Sequence, residues 1–281
     1  MYLSLNRIRI GGGGRLPSGT PPAPSYDPDA QIYINNVELQ DGQPLETGVK
    51  DAMNTLIVGL KSDGILQLIH SCCLFAGPRT LNGALVQLIP NANPVTNINF
   101  IPADHSRPLG IKGNNINKSI NTNRNTNADP RNSNHVAAFV TQPETTSSAG
   151  FFIGSQPSSG GQRWVAKSAD NLTMRSRCMQ SGTSNQIPIL DGVGFIGTSR
   201  DNGTNEVLRF KGSNATFTIS SEVPGNELMT VFRNGMTGDV YTDARISFFS
   251  IGEALLTGGT GLALLETRIT TYMNTLAGLN L

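Results

Sequence analysis

Val193-Gly-Phe-Ile-Gly-Thr-Ser-Arg200-Asp-Asn-Gly-Thr-Asn-Glu-Val207-Leu-Arg-Phe-Lys-Gly-Ser-Asn-Ala215-Thr-Phe-Thr-Ile-Ser220 decides the fold. It holds three short apolar runs, Val193 to Thr198, Val207 to Lys211 and Ala215 to Ser220, each with a period near two. Between them stand Asp201-Asn202-Gly203 and Gly212-Ser213-Asn214, residues that adopt positive φ cheaply and so close hairpins. Three consecutive antiparallel strands are the expectation. The same rhythm extends upstream through Leu85 to Ile89, Asn97 to Ile101, His135 to Val140, Gly150 to Gly154, Arg163 to Ala166 and Leu172 to Arg177. Downstream it continues through Leu228 to Arg233 and Ala244 to Ser250, with Asn234-Gly235 as a further turn. About eleven short strands at this spacing imply an antiparallel β-sandwich or barrel, hence a mainly β fold.

The flanks obey a different period. Asp27-Pro28 reads as a helix N-cap followed by a first-turn proline, with Ala30, Tyr33 and Val37 on one face and Asp41-Gly42 as the stop. Leu45, Val49, Met53, Leu56, Ile57 and Leu60 form the stripe of a second helix, ended by Asp63-Gly64, and Ile65 to Leu74 is expected to begin a third helical segment. Leu262, Leu265, Ile269, Tyr272, Leu276 and Leu279 give a C-terminal helix that could dock on the sandwich or form a coiled-coil seam, with docking preferred because the stripe is under three heptads long. Between Asn114 and Asn134 nine of 21 residues are Asn, which predicts a long surface loop.

Residues 1–26 hold four consecutive glycines and four prolines and too little apolar surface to order alone, so a flexible arm is expected. Its first ten residues alternate around Leu3, Leu5, Ile8 and Ile10, with Arg7 and Arg9 between, so these six are candidate docking residues for a neighbouring subunit. The expected organisation is an arm (1–26), a helical segment packed on the sandwich (27–77), the sandwich (78–257) and a terminal helix (258–281).

Composition narrows the function. Twenty-one Lys plus Arg against 20 Asp plus Glu leave a net charge of +1, without the basic excess of a phosphate-backbone binder, so no nucleic acid partner is expected. Charged residues are only 15% of the chain while Gly (31) and Pro (16) are plentiful, as turn-rich β proteins require. No run approaches the ~20 apolar residues of a membrane span, so no membrane insertion is expected. Cys72, Cys73 and Cys178 read as free, mostly buried thiols, because the one close pair is adjacent and adjacent cysteines bridge only with strain.

Motifs for chemistry are weak. Gly192-Val-Gly-Phe-Ile-Gly197 matches a dinucleotide fingerprint by letters, but a hairpin turn follows where a helix N-terminus is needed. Asp104-His105-Ser106 places triad letters side by side, whereas neighbours on an extended chain point apart. His70, His105 and His135 lack metal spacing, and the acid pair Glu222 and Glu227 flanks a turn. No catalytic residue, metal or cofactor is expected. The candidate ligand-binding residues are Trp164, the only tryptophan, and Arg163 beside it, which would offer a sugar ring a flat stacking surface if exposed. Core packing is the competing reading of Trp164.

Leu60-Lys-Ser-Asp-Gly-Ile65, Leu74-Phe-Ala-Gly77, Gly110-Ile-Lys-Gly113, Gly194-Phe-Ile-Gly197, Arg245-Ile-Ser-Phe-Phe-Ser-Ile-Gly-Glu-Ala-Leu255 and Ala263-Leu-Leu-Glu-Thr-Arg268, in that order, resemble structural proteins of tailed bacteriophages and prophages. The β-region of that family is similar to the concanavalin A-like, or laminin G-like, jelly roll, and the likeness covers residues 27 to 281. The resemblance implies a non-enzymatic virion component, a tail or fibre element or a head decoration, assembled in the bacterial cytoplasm. Its implied partners are other virion proteins and further copies of itself, a trimer by analogy. The alternative is a lectin-like adhesion module for host surface polysaccharide.

Overall fold

Asp27 opens the first helix, α1 (Pro28–Asp41), as its sequence predicts: the carboxylate accepts from the Asp29 amide at 3.0 Å, and left-handed Gly42 ends the helix. α2 (Thr47–Ser62) follows, with Val49, Met53, Leu56, Ile57 and Leu60 buried. The computed structural model describes residues 25–145, 149–170, 172–235 and 240–281. Leu3, Leu5, Arg7, Ile8, Arg9 and Ile10 of the expected arm lie outside the described residues.

The expected third helical segment is replaced by a single 3₁₀ turn, Leu66–Leu68, and a strand, β1 (Ile69–Leu74). Pairing with residues 248–252 overrides the local helical spacing. The expected strand at Leu85 to Ile89 is also absent. A four-residue helix, α3 (Leu81–Ala84), precedes an irregular loop there, joined to β1 by one bridge from Gln87 to Cys73. The remaining strands are β2 (Thr96–Ile98), β3 (His105–Ser106), β4 (Gly110–Lys112), β5 (Ser119–Asn125), β6 (Asn134–Gln142), β7 (Gly150–Ser155) and β8 (Gln162–Lys167). They continue with β9 (Thr173–Gln180), β10 (Asn185–Pro188), β11 (Gly194–Arg200), β12 (Asn205–Phe210), β13 (Ser213–Thr218), β14 (Leu228–Val231) and β15 (Arg245–Gly252), before α4 (Thr260–Ala277). β5 corrects the reading of the Asn-rich stretch as loop. Ile120 and Thr122 bury their side chains while Asn121 is half-buried and Asn123 exposed, and that alternation is enough for a strand.

Two antiparallel sheets result. One runs β13-β12-β11-β6-β15-β4-β3, with β1 also paired to β15; the other runs β10-β9-β8-β7-β14-β5-β2. Their facing sides interlock through Val136, Ala138, Phe152, Val165, Ile196, Met229 and Phe249. The opposite side of the eight-stranded sheet presents Leu74, Ala137, Phe195 and Phe248 to the three long helices, which meet it with Val37, Met53, Ile57, Leu265, Ile269 and Tyr272. The fold is therefore a jelly-roll-like β-sandwich with helices layered on one sheet. Each fully buried Leu, Ile or Phe contributes roughly 1.5–3 kcal/mol. The Tyr272 hydroxyl donates to the Ala76 carbonyl at 2.9 Å and ties α4 to the segment after β1. All three cysteines are free and buried.

His135, on β6, is fully buried. Its Nδ1 donates to the Glu253 carbonyl at 2.5 Å, and its Nε2 accepts from the Ser250 hydroxyl at 2.7 Å, so the ring is neutral. Burial lowers its pKa from 6.5 to about 4, against the opposing pull of the Glu253 hydrogen bond. Below 6.5 the unfolded chain takes up the proton while the folded chain does not. Stability is therefore expected to be full above pH 6.5 and to decline between pH 6.5 and about 4, by on the order of 3 kcal/mol for this group. Urea unfolding at stepped pH should show that slope in the wild type and a flatter one in His135→Gln.

Candidate functional site

Arg163 and Trp164 are neighbours on β8, and neighbours on a strand face opposite ways. Arg163 points into the sandwich, fully buried, with a terminal nitrogen 2.6 Å from Asp129 Oδ2 and another 2.8 Å from the Met229 sulfur. Trp164 points to the other face of the seven-stranded sheet, yet only 4% of it is exposed. It packs edge-on against Phe151 with ring centroids 5.0 Å apart, and its indole N–H donates to Gln162 Oε1 at 3.1 Å. Gly154 makes room for it: a Cβ there would lie 2.3 Å from the Trp164 Cβ. The sequence-adjacent pair thus forms no joint stacking surface. The partner of the ring is Arg177, directly across on β9, whose guanidinium lies 5.4 Å from the ring centroid and covers it.

Asp129 gathers charges that the sequence scatters. Its buried carboxylate accepts from Arg163, from Arg124 on β5 and from His70 on β1, the last at 2.8 Å. The same His70 nitrogen lies 2.9 Å from the Arg124 guanidinium, so the ring sits between the carboxylate and the arginine. Burial pushes the Asp129 carboxyl upward, but Arg163 and Arg124 outweigh it and hold the group well below the usual carboxylate range. The cluster joins the two sheets, since Arg124 and Arg163 belong to one and His70 to the other. His105 is committed elsewhere, with its Nε2 3.0 Å from the Phe75 carbonyl, while Asp104 pairs with Lys118. The Gly192 to Gly197 run enters β11, which turns back antiparallel into β12.

A concavity lies where the helix layer ends. A groove of about 450 Å³ runs between α1, α3 and the loop from Leu85 to Val95. Two shallower depressions of about 370 and 400 Å³ continue it around Pro90 toward His70 and Arg124. Both walls are fixed. Gln87 accepts from the Cys72 amide at 2.8 Å and donates to the Ser71 hydroxyl and the Asn93 carbonyl, both at 2.9 Å. Asn123 donates to the Pro94 carbonyl at 2.6 Å, and Asn93 donates to the Asn123 carbonyl at 3.1 Å. On the far side the Asp41 carboxylate accepts from the Arg79 and Thr80 amides, both at 2.8 Å, and so locks α3 to the end of α1. Leu39, Leu85, Val86 and Ile89 supply an aliphatic lining, while the side-chain amides of Asn36, Gln40, Asn82 and Asn91 make no hydrogen bond to the described residues. Each amide can both donate and accept, and a fixed groove with a few free polar groups is the usual form of a small-ligand site. No sequence motif marks it, because its walls come from two separate segments, the end of α1 and the stretch from Asn82 to Val95.

A jelly-roll-like sandwich with a preformed, amide-lined groove is the class of protein that fold and site define. No protein-family model matches the sequence, and no curated protein matches it either. Solved structures do. The binding domain of botulinum neurotoxin serotype D aligns with a TM-score of 0.50 at 10% identity, over 76% of this chain and 52% of that one. A structure of botulinum neurotoxin type C, whose cell entry depends on two ganglioside molecules, aligns at 0.49 and 13% identity over 76% and 52% of the two chains. Domain 4 of the arabinanase AbnA from Geobacillus stearothermophilus, in complex with arabinotriose, aligns at 0.46 and 16% identity over 70% and 98%. The protein spans about half the length of the toxin chains it matches. At 10% identity the likeness to the serotype D binding domain bears on the fold alone.

Asp129→Asn should destabilise the protein by roughly 3–5 kcal/mol, because it leaves the Arg163 charge buried without a counter-ion. Chemical denaturation measures this, and the paired replacement Asp129→Leu with Arg163→Met is expected to recover most of the loss.

Proposed function

We propose that this protein is a non-catalytic, lectin-like glycan-binding module whose combining site is the groove between α1, α3 and the Leu85–Val95 loop. The observation that carries the reading is the set of four unpartnered amides above an aliphatic lining on walls that hydrogen bonds hold in place. Sugar hydroxyls donate and accept as amides do, while the C–H faces of a pyranose suit Leu39, Val86 and Ile89. Preorganised walls spare the ordering cost that a mobile loop would add on binding. The toxin chain of like fold is itself described as a binding domain, which accords with this reading.

Trp164 takes no direct part, since its ring is covered. A glycan array should show binding by the wild type, and the double substitution Asn36→Ala with Asn82→Ala should weaken it at least tenfold, as the loss of two hydrogen bonds implies, with the unfolding midpoint unchanged. Binding that survives this change in full would remove the groove as the site.

The setting is a further proposal. The segments that resemble phage structural proteins include β15, at the centre of its sheet, and the middle of α4, so the likeness rests on scaffold elements. On that basis we infer a virion surface component, anchored through residues 1–26 to other virion proteins and presented as a homo-oligomer, with host polysaccharide as the ligand. Removing residues 1–26 is expected to abolish incorporation into particles while leaving glycan binding intact. Full occupancy of the truncated chain on purified particles would contradict the anchoring role.

A further inference from the structure

Many of the chain's cations are already neutralised: Lys61, Arg107, Lys118, Arg163, Arg209 and Arg268 each lie 2.5 to 2.7 Å from a carboxylate oxygen. Two on β9 are not. Arg175 and Arg177 stand two residues apart, so they share the face of the seven-stranded sheet that points away from the interior, about 7 Å apart along the strand. Arg175 makes no hydrogen bond or ion pair with the described residues, and Arg177 donates only to Gln162. The Nε of each is buried without an acceptor. Buried N–H groups left unpaired are costly, so this face is short of acceptors.

The surroundings suit an anion. Phe151, Trp164 and Ala166 form an apolar floor under the two guanidinium groups, and a low local dielectric strengthens an ionic contact made above it. Ala166 is the cross-strand neighbour of Arg175 on β8 and leaves space beside it, while exposed Gln186 flanks it on β10. Asp170, Glu222 and Glu206 are the acids whose fields reach the pair; Glu222 already accepts from the Ser181 amide and hydroxyl, and buried Glu206 from Ser176, Thr198 and the Cys178 amide. None of the described carboxylates lies within ion-pair distance of either arginine. The planar guanidinium matches a carboxylate two oxygens at a time, and a carboxylate would supply the missing acceptors.

We propose that the outer face of the seven-stranded sheet binds an acidic polysaccharide, with the carboxylate of a uronic acid residue seated between Arg175 and Arg177. Exposed Gln186 is placed to meet a hydroxyl beside it, while buried Gln162 holds Arg177 and Trp164 in position. The face shares no residue with the groove, so the two readings fail separately.

Titration calorimetry of the full chain with polygalacturonate and with dextran decides the matter. Polygalacturonate is expected to bind, more weakly as salt rises, and dextran to leave this face empty. Arg175→Gln with Arg177→Gln should weaken polygalacturonate binding at least tenfold, and Arg175→Lys with Arg177→Lys should restore part of it, with thermal midpoints confirming that both variants fold. Asn36→Ala with Asn82→Ala should leave this binding unchanged. The proposal is overturned if the wild type ignores polygalacturonate, if the double glutamine variant binds as before, if the groove variant abolishes binding, or if dextran sulfate binds as tightly as the polyuronate.

Discussion

The central strands of the eight-stranded sheet have no face in water, and the rest of the architecture depends on that constraint. On one side Val136, Ala138, Ile196 and Phe249 meet the second sheet; on the other Ala137, Phe195 and Phe248 meet the helices. A sheet apolar on both sides needs two covering layers, so α1, α2 and α4 are part of its solvent shield. The site geometry follows. The groove opens at the rim of that shield, where the last turns of α1 pass over the irregular loop beyond β1.

Charge is handled in two ways within one sandwich. Inside, Arg163 lies against Asp129, Glu206 accepts from Ser176, Thr198 and the Cys178 amide, and Arg200 donates to the Cys178 and Ile219 carbonyls. Such buried pairs cost desolvation that their mutual attraction only partly offsets, and they fix one arrangement of the sheets. On the outer face of the seven-stranded sheet the same residue type, arginine, is left without a counter-ion. The contrast lies within two consecutive strands, between Arg163 on β8 and Arg177 on β9.

Much of this fold was legible. The Asp27 cap, the Gly42 stop, the stripe from Leu262 to Leu276 and the turns around Asn202 and Gly212 each rest on local physics that tertiary packing does not overrule. What failed was ambiguous locally. Ile65 to Leu74 is apolar on nearly every side and fits a strand as well as a helix, and pairing with β15 decided it. The Asn-rich stretch hid β5 because composition averages over alternate residues, whereas Ile120 and Thr122 alone needed to be buried. Trp164 and Arg163 would share a surface only if both were exposed, but strand alternation separates them and Trp164 is buried, as core packing requires; its partner Arg177 emerges only from the register of β8 against β9. The groove was invisible for a related reason: Asn36, Asn82 and Asn91 meet through chain topology.

The loop bordering the groove is pinned at its ends, by Gln87 to β1 and by Asn93 and Pro94 to β5, while the side chains of Pro90, Asn91 and Ala92 between those pins bond to nothing in the described protein. The groups that hold the loop and the side chains that line the cleft are thereby different residues. Of the three between the pins, Asn91 sits at a left-handed φ of 64° that suits asparagine, so Pro90 and Ala92 are the positions where the lining can change with least cost to the scaffold.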